Sequence, residues 1–412
     1  MISCLRIINY MFFAKKANKQ FPFIVFDIGS ASISAAIVVA DEKNDAVEII
    51  YQTRISMNSH RYLNYERLFS AMLIALKAAA ENIEQNRLRI FSENDFNPKN
   101  IKDIFCVFSS LWCVYGISAE NFIKEKSFIV SERFISDNIK NSETELKELL
   151  QNKLNQNNIP DPILMEKNII QTLLNGYNVN KPYGKEINRI DITLFMSMIS
   201  DEIRRKVRDI IEKIFNTDNI SYNSFALASF SVTRDVFSAE KDFLLMDISG
   251  EVSDIMLIRD DVIVKTSTFP LGSNFLIRKT AEALNIIPEE AHSLIRLFFE
   301  QKGSNAEHQD IRKTLIAIKE EWLYSFRKIL SDFAGKLSLP KTIFLLVDTD
   351  IASWFIDTIK NDEFSAYTLT QQQFTIVELR GEIFRKYCYT KNKDKKDCDS
   401  FLAIEALFAR KV

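Results

Sequence analysis

The chain has 412 residues, of which 47% are hydrophobic and 26% charged, and this composition excludes a disordered protein and a single small module. Lys and Arg number 53 against 55 Asp and Glu, so the net charge of −2 gives no basic surplus to favour nucleic-acid binding. Because no run approaches about 18 apolar residues, the sequence predicts no membrane span.

The cysteines, histidines and N-terminal residues favour a cytoplasmic protein without a zinc site. Five cysteines, an odd number without CxxC spacing, favour reduced thiols. Three histidines, none paired at a ligand spacing, give little support to zinc or to a His-based triad. In residues 1–20 the apolar run precedes the lysines, the reverse of a signal peptide. We interpret 1–20 as a disordered leader, with a start at Met11 or a peripheral membrane anchor as alternatives.

The first pattern in chain order is a hairpin over residues 23–39, FIVFDIGSASISAAIVV. A β-branched and aromatic run ends at Asp27, a turn follows through Gly29 and Ser30, and a second apolar run begins at Ile33. A carboxylate at the end of such a strand can orient a metal-bound water, while the amides of the turn face a phosphate. Residues 46–55 predict a third strand, and the apolar period of 65–86 predicts an amphipathic helix.

The middle of the chain has a different texture and predicts a small α+β subdomain over 104–198. Two strand-like runs in 101–117 come first, followed by helix-prone tracts after Ser131 and over 143–155. Strands are predicted over 168–179 and 190–199, on either side of a loop at 180–184. A charged amphipathic helix is predicted over 200–216, and the small-residue stretch within 221–237 favours a packed helix.

The opening pattern returns over residues 243–258, FLLMDISGEVSDIMLI. Asp247 corresponds to Asp27, and Ser249 and Gly250 occupy the turn. A third strand is predicted over 262–269, and residues 270–274 open a helix. Two copies of one meander-plus-helix unit, about 220 residues apart, predict a duplicated clamp with two lobes.

Four stretches together resemble the actin-like ATPase superfamily, and within it the bacterial branch that includes the cell division protein FtsA and the pilus protein PilM. Two of them, DIGSAS (27–32) and DISGEVSD (247–254), are similar to the two phosphate loops of the superfamily. A third, NGYNVNKPYGKE (175–186), is similar to an element of the inserted subdomain of FtsA. The fourth, FPLGSNFL (269–276), resembles the segment after the third strand of the second lobe. The resemblance implies an α/β fold with two actin-like lobes, a duplicated ribonuclease H-like unit, and a small α+β subdomain inserted in the first lobe. The implied domains are the first lobe at 21–103 and 199–240, the subdomain at 104–198 and the second lobe at 241–412.

The resemblance also implies a site for ATP and Mg²⁺ between the lobes. The implied nucleotide-binding residues are Asp27, Gly29, Ser30, Asp247, Ser249, Gly250, Asp254 and Gly272, and the implied metal ligands are Asp27 and Asp247.

Several positions depart from the family pattern and disfavour a nucleotide in the usual pose. Ser32 stands where many members have Lys, Glu251 replaces a Gly, and 348–352 lacks the glycines of an adenosine loop. A carboxylate at residue 251 facing a phosphate ~4 Å away would cost about 4 kcal/mol at an effective dielectric of ~20, whereas one pointing to solvent would cost little. Retained binding and a vestigial site both stay open, and we expect a weak ATPase at most.

The resemblance leaves three functions open. The first is an FtsA-like scaffold of cell division that self-associates, binds an FtsZ-like protein and contacts the inner face of the membrane. The second is a PilM-like adaptor of type IV pilus assembly that binds the cytoplasmic tail of a membrane protein. The third, an active ATPase or a sugar-kinase-like enzyme, has no recognisable substrate-binding constellation. All three predict a cytoplasmic protein that does not bind nucleic acid.

Overall fold

A computed structural model describes residues 6–7, 21–40, 46–57, 64–93, 103–156, 160–302, 305–335, 338–369, 371–390 and 398–412. The predicted leader, residues 1–20, lies outside these ranges apart from residues 6–7.

The described residues form three sheets covered by helices. The strands in chain order are β1 (Arg6–Ile7), β2 (Phe21–Ile28), β3 (Ser32–Ala40), β4 (Val47–Ser56), β5 (Ile104–Phe108), β6 (Cys113–Ile129), β7 (Pro162–Leu174), β8 (Tyr177–Asn178), β9 (Glu186–Ser200), β10 (Ile220–Ser224), β11 (Phe243–Ile248), β12 (Ser253–Arg259), β13 (Val262–Phe269), β14 (Thr342–Val347), β15 (Thr375–Glu378) and β16 (Cys388–Thr390). The helices are α1 (Tyr65–Glu93), α2 (Glu132–Asn138), α3 (Lys140–Gln156), α4 (Asp201–Phe215), α5 (Phe225–Val236), α6 (Ser273–Leu284), α7 (Pro288–Phe299), α8 (Asn305–Ala334), α9 (Ala352–Lys360), α10 (Gly381–Phe384) and α11 (Ser400–Ala409).

The first and third sheets repeat one topology, as the two hairpins predict. The first sheet runs β10-β5-β2-β3-β4-β16 and the third runs β15-β14-β11-β12-β13. In each, three antiparallel strands form a meander, and two parallel strands extend the sheet beyond the first strand of the meander. The first sheet has β16 as an extra strand, parallel to β4. These two sheets are the centres of the two lobes.

Both faces of the lobe sheets are buried, which explains why their strands are apolar along their whole length. In β2, Phe23 and Val25 face the core between the lobes, while Ile24 and Phe26 face the core beneath α1 and α4. The predicted helix over 65–86 is α1, whose apolar stripe is buried and which continues to Glu93. The helices α6 to α9 cover the outer face of the third sheet.

The second sheet belongs to the inserted subdomain and runs β1-β7-β9-β6, with β8 paired to β7. One of its faces is covered by α2 and α3. The side chain of Ser131 caps α2 by accepting a hydrogen bond from the Phe134 amide, as the sequence predicts. NGYNVNKPYGKE forms the turn after β7, β8 and the approach to β9. The amides of Asn188 and Arg189 donate to Oδ1 of Asn175 in this turn, and Tyr177 is exposed.

Two predicted boundaries differ from the observed arrangement. The subdomain was predicted to start at residue 104, but β5 lies between β2 and β10 in the first sheet, because its five residues are all buried and need cover on both faces. The second lobe was predicted to run to residue 412, but β16 pairs with β4 and α11 packs on β2 and β3. The C-terminal residues therefore return to the first lobe.

The core between the lobes is built around α5 and α11. The small-residue stretch forms α5, a packed helix as predicted, in which ten of the twelve residues are buried. Phe225 of α5 packs on Phe401 of α11 with ring centroids 5.3 Å apart.

Within the described ranges, no helix combines the length and apolar character needed to span a bilayer.

Candidate functional site

The first loop of the site (29–31) is held by hydrogen bonds to its carbonyl groups. Nε1 of Trp112 donates to the Gly29 carbonyl at 2.8 Å, and the Met57 amide donates to the Ala31 carbonyl at 2.8 Å. A Cβ on Gly29 would lie 2.9 Å from the Ser32 carbonyl oxygen, so this tight turn needs glycine. The loop is thus a rigid end of the β2–β3 hairpin.

The second loop (249–252) is bound to the N-terminus of α6. The Ser273 amide donates to the Ser249 carbonyl at 2.8 Å, and the Asn274 amide donates to the Gly250 carbonyl at 2.7 Å. A Cβ on Gly272 would lie 2.4 Å from the Ser249 carbonyl oxygen, which explains the glycine in front of α6. Two N-terminal amides of α6 therefore hydrogen-bond to the second loop rather than to a ligand.

The two loops touch each other directly across the interlobe cleft. The Glu251 amide donates to Oγ of Ser30 at 2.9 Å. A Cβ on Gly250 would lie 2.7 Å from the Ala31 nitrogen, so the two backbones are in contact. The resemblance places phosphates between these loops, but here the loops leave no gap for them.

The Glu251 carboxylate takes neither of the two orientations considered from the sequence. It is 3% exposed, so it does not point to solvent, and it is turned towards α6. Both of its oxygens pair with the guanidinium of Arg278, at 2.9 Å and 2.7 Å, and Nδ2 of Asn274 donates to Oε1 at 2.8 Å. This paired arrangement satisfies the buried charge within the second lobe.

The predicted metal ligands lie at the ends of β2 and β11 and are both buried. Burial raises the pKa of Asp27 to about 7, with Asp399 raising it further and Arg54 opposing the shift. Burial also raises the pKa of Asp247 well above its usual range, and Asp254, its neighbour across the β11–β12 pair, adds to this effect.

Glu405 is a functional candidate that the sequence analysis missed. It lies on α11 close to Asp27 and is fully buried, and neither of its carboxyl oxygens has a hydrogen-bond partner among the described residues. Burial, followed by the charges of Asp27 and Asp399, raises the pKa of Glu405 well above its usual range. The signal in the sequence is a single acidic residue inside the apolar run SFLAIEALFA.

Arg54 joins the lobes at the other side of the cleft. From β4, its Nε donates to Oγ of Ser32 at 3.0 Å and its Nη2 donates to Asp348 at 2.5 Å. Its Nη1 is 3.5 Å from a carboxylate oxygen of Asp399, the N-cap residue of α11. Asp348 follows β14, in the segment where the resemblance predicts an adenosine loop. An interlobe ion pair therefore occupies that segment.

The cavity left between the loops has a volume of ≈ 50 Å³. Six of the eight predicted site residues line it, namely Asp27, Gly29, Ser30, Asp247, Ser249 and Gly250. Gly272 lies beneath the second loop, and Asp254 accepts a hydrogen bond from Thr268 within the third sheet. The structure thus brings the two motifs together around one small cavity.

The cavity does not fit a bound ATP. Pockets for ligands of that size have volumes of about 300–1,000 Å³, whereas this space suits a few water molecules. One oxygen of Asp247, Oδ1, is buried without a hydrogen-bond partner, which a water could satisfy. Across the described part of the chain, no three acidic, histidine or cysteine side chains converge on a point suited to a metal ion.

The duplicated sheets and the two loops that meet between them define a two-lobed α/β protein. No protein-family model matches the chain, and a search of curated proteins gives no significant match. A chain of the "PilM-PilN type IV pilus biogenesis complex" is similar in structure, with 13% identity and a TM-score of 0.57 over 94% of this chain and 98% of that chain. The predicted two-lobed actin-like fold is confirmed.

Two further solved structures are similar at a lower level. They are the ethanolamine utilization protein EutJ from Carboxydothermus hydrogenoformans, with 10% identity and a TM-score of 0.42 over 96% of this chain and 90% of that chain, and a Bacteroides thetaiotaomicron protein with an actin-like ATPase fold, with 9% identity and a TM-score of 0.41 over 94% and 95%. At such identities the comparisons establish the fold alone.

Proposed function

We propose that this protein is an actin-like adaptor that binds a partner without a nucleotide cycle. The observation that carries the proposal is the direct contact between the two loops, in which the Glu251 amide donates to Oγ of Ser30. The cavity that remains beside this contact has a volume of only ≈ 50 Å³. A protein that uses ATP needs this cleft to admit a triphosphate. Here the interlobe contacts stabilise one closed arrangement instead, which suits a rigid scaffold.

A membrane protein is the partner class that we propose. A chain of the PilM-PilN type IV pilus biogenesis complex has the same fold, and that complex is an assembly of two different proteins. By analogy, this chain binds the cytoplasmic segment of a membrane protein and works at the inner face of the cell membrane. The analogy concerns the fold, so the partner itself must be identified by experiment.

A division scaffold similar to FtsA is the second candidate. The observation that favours it is the NGYNVNKPYGKE element, which forms an ordered tip of the inserted subdomain with Tyr177 77% exposed. A scaffold of this kind self-associates and contacts lipid. It also binds an FtsZ-like protein, which a pilus adaptor does not require.

The nucleotide part of the proposal is tested by calorimetry with the full chain and millimolar ATP, with and without Mg²⁺. We expect no binding heat and no upward shift of the thermal midpoint, because a ligand that binds the folded state stabilises it by RT ln(1 + [L]/Kd). Asp27→Ala and Glu251→Gly serve as comparison variants. Saturable binding by the wild type that Asp27→Ala abolishes would overturn the proposal.

The partner part is tested by crosslinking in cells, followed by mass spectrometry of the membrane fraction. We expect one membrane protein with a short cytoplasmic segment, and a synthetic peptide of that segment should bind the purified chain. Sedimentation of filaments together with lipid vesicles and an FtsZ-like protein would support the division scaffold instead. A chain that binds none of these partners would contradict the adaptor proposal.

A further inference from the structure

Two cysteines of the first lobe lie in contact although they belong to different elements. Cys388 begins β16, at the edge of the first sheet, and Cys398 precedes Asp399, the N-cap residue of α11. The thiol of Cys388 donates to Sγ of Cys398 with the sulfur atoms 3.5 Å apart. Both side chains are buried, Cys388 completely and Cys398 with 6% exposure.

We propose that Cys388 and Cys398 form a dithiol–disulfide redox pair, oxidised by a low-molecular-weight disulfide such as oxidised glutathione. A disulfide needs sulfur atoms ~2.05 Å apart, so the two sulfurs must approach by about 1.5 Å. The pair lies in a chain for which reduced thiols are expected, and disulfides in that setting are transient or redox-sensing. Neither cysteine lines the interlobe cavity, and the proposal does not rest on the proposed partner.

The reaction consists of two thiol–disulfide exchanges. The thiolate of Cys398, the more exposed of the two, attacks one sulfur of the oxidant and forms a mixed disulfide, releasing one small thiolate. The thiolate of Cys388 then attacks the Cys398 sulfur and displaces the second small thiolate. Two protons pass from the cysteines to the released thiols, so the chain loses two electrons and the oxidant gains them.

The environment of the pair predicts slow oxidation. The hydrogen bond with Cys398 and the burial of Cys388 raise the pKa of Cys388 well above its usual range. Because the thiolate is the attacking species, we expect the second exchange to accelerate as the pH rises. A disulfide would join β16 to the start of α11, next to the Asp399 carboxylate that lies 3.5 Å from Arg54.

The experiment incubates the full-length wild type with oxidised glutathione at pH 8 and measures intact mass, thiol content and disulfide-linked peptides. We expect a mass loss of about 2 Da, the loss of two thiols of the five, a link between Cys388 and Cys398, and reversal by dithiothreitol. Cys398→Ala should abolish the internal link. Two control variants, Cys113→Ala and Cys4→Ser, should preserve the link. The Cys113 thiol donates to backbone carbonyls, and Cys4 lies outside the described residues.

The wild-type measurement decides the proposal even if a variant folds poorly. A mass increase by one glutathione without an internal link would overturn it, as would a link that includes Cys4 or the absence of any reaction at pH 8. Hydrogen exchange adds a local readout, since the oxidised chain should exchange more slowly at the first turn of α11 than the reduced chain.

Discussion

At the scale of single residues, Glu251 shows how a side chain that disfavours a phosphate became part of a structural ion pair. The carboxylate is buried, and it accepts hydrogen bonds from the Arg278 guanidinium and from Nδ2 of Asn274. Removing one member of such a pair leaves an uncompensated charge, which is costlier than removing both.

We expect Arg278→Ala to lower the free energy of unfolding by about 2–4 kcal/mol, because Glu251 would remain buried without its cation. Glu251→Gln, which keeps the shape and removes the charge, should cost less. Chemical denaturation of the two single variants and the double variant gives the coupling energy directly. A loss in the double variant equal to the sum of the two single losses would show that the pair has no such role.

The Asp27 carboxyl predicts a pH-dependent stability with an unusual sign. Its pKa of about 7 in the folded state lies above the usual 3.8. Between pH 3.8 and about 7, Asp27 therefore holds a proton in the folded chain that it releases in the unfolded chain. Stability from this group is therefore complete below about pH 4 and is lost as the pH rises through about 7. Asp254, whose pKa is raised to about 6, acts in the same direction.

We expect Asp27→Asn to be more stable than the wild type by roughly 1–3 kcal/mol at pH 8, with the difference shrinking towards pH 5. The amide cannot ionise, so the variant buries no charge at this position at pH 8. Denaturation curves across this pH range measure the effect, with exposed Asp209→Asn as the control. A constant difference between Asp27→Asn and wild type would show that Asp27 does not titrate in this window.

At the scale of elements, local patterns predicted most helices and strands because their evidence lies within a few residues. The stripe of Leu68, Met72 and Leu76 predicts α1, and the unbroken apolar run before Asp27 predicts β2, which is buried at every position except Phe21. The position of α11 was predicted wrongly because an apolar helix shows that it is buried and does not show against which sheet. Its partners β2 and β3 are more than 350 residues earlier in the chain.

The same limit, that a local pattern does not show tertiary partners, explains which parts of the candidate site could be predicted from the sequence. The glycines and aspartates of the two loops stand out in the sequence because a tight turn after a strand restricts residue type. The pairing of Glu251 with Arg278 and the position of Glu405 close to Asp27 depend on the tertiary arrangement, so no local pattern predicts them.

A buried carboxylate connects the inserted subdomain to the first lobe. Glu166 of β7 accepts hydrogen bonds from the amide and hydroxyl of Ser224, from the Ser197 hydroxyl at 3.0 Å and from Nδ2 of Asn223 at 3.2 Å. Ser224 is the N-cap residue of α5, so this group joins β7, β9 and the start of α5. The burial of Glu166 raises its pKa, and these hydrogen bonds oppose the shift.

We expect Glu166→Ala to cost about 2–4 kcal/mol, because several buried donors would lose their acceptor. Hydrogen exchange should quicken at the first turn of α5 before it changes elsewhere. Glu143→Gln is the matched control, since its pair with Lys167 is partly exposed and is worth about 1 kcal/mol or less. Equal exchange rates in Glu166→Ala and wild type would refute the anchoring role.

At the scale of the whole molecule, three groups of contacts among the described residues hold the lobes together. They are the shared core of α5 and α11, the ion pair of Arg54 with Asp348, and the contact of the two loops. The loop contact requires the closest approach, since even a methyl group on Gly250 has no room beside Ala31. The relative position of the lobes is therefore most sensitive to the size of residue 250.

We expect Gly250→Ala to separate the loops, because its Cβ would lie 2.7 Å from the Ala31 nitrogen and 2.8 Å from the Ala31 Cβ. Overpacking of this kind typically costs about 1–3 kcal/mol. The radius of gyration in solution scattering should increase and protease cleavage near the cleft should accelerate. Gly176→Ala is the control, because nothing lies within 4 Å of its added Cβ and only its backbone, at φ +86°, opposes the change. If both Gly250→Ala and Gly176→Ala match wild type in scattering and proteolysis, the loop contact does not set the position of the lobes. Contact between the loops would then no longer explain why the cleft has no room for a triphosphate.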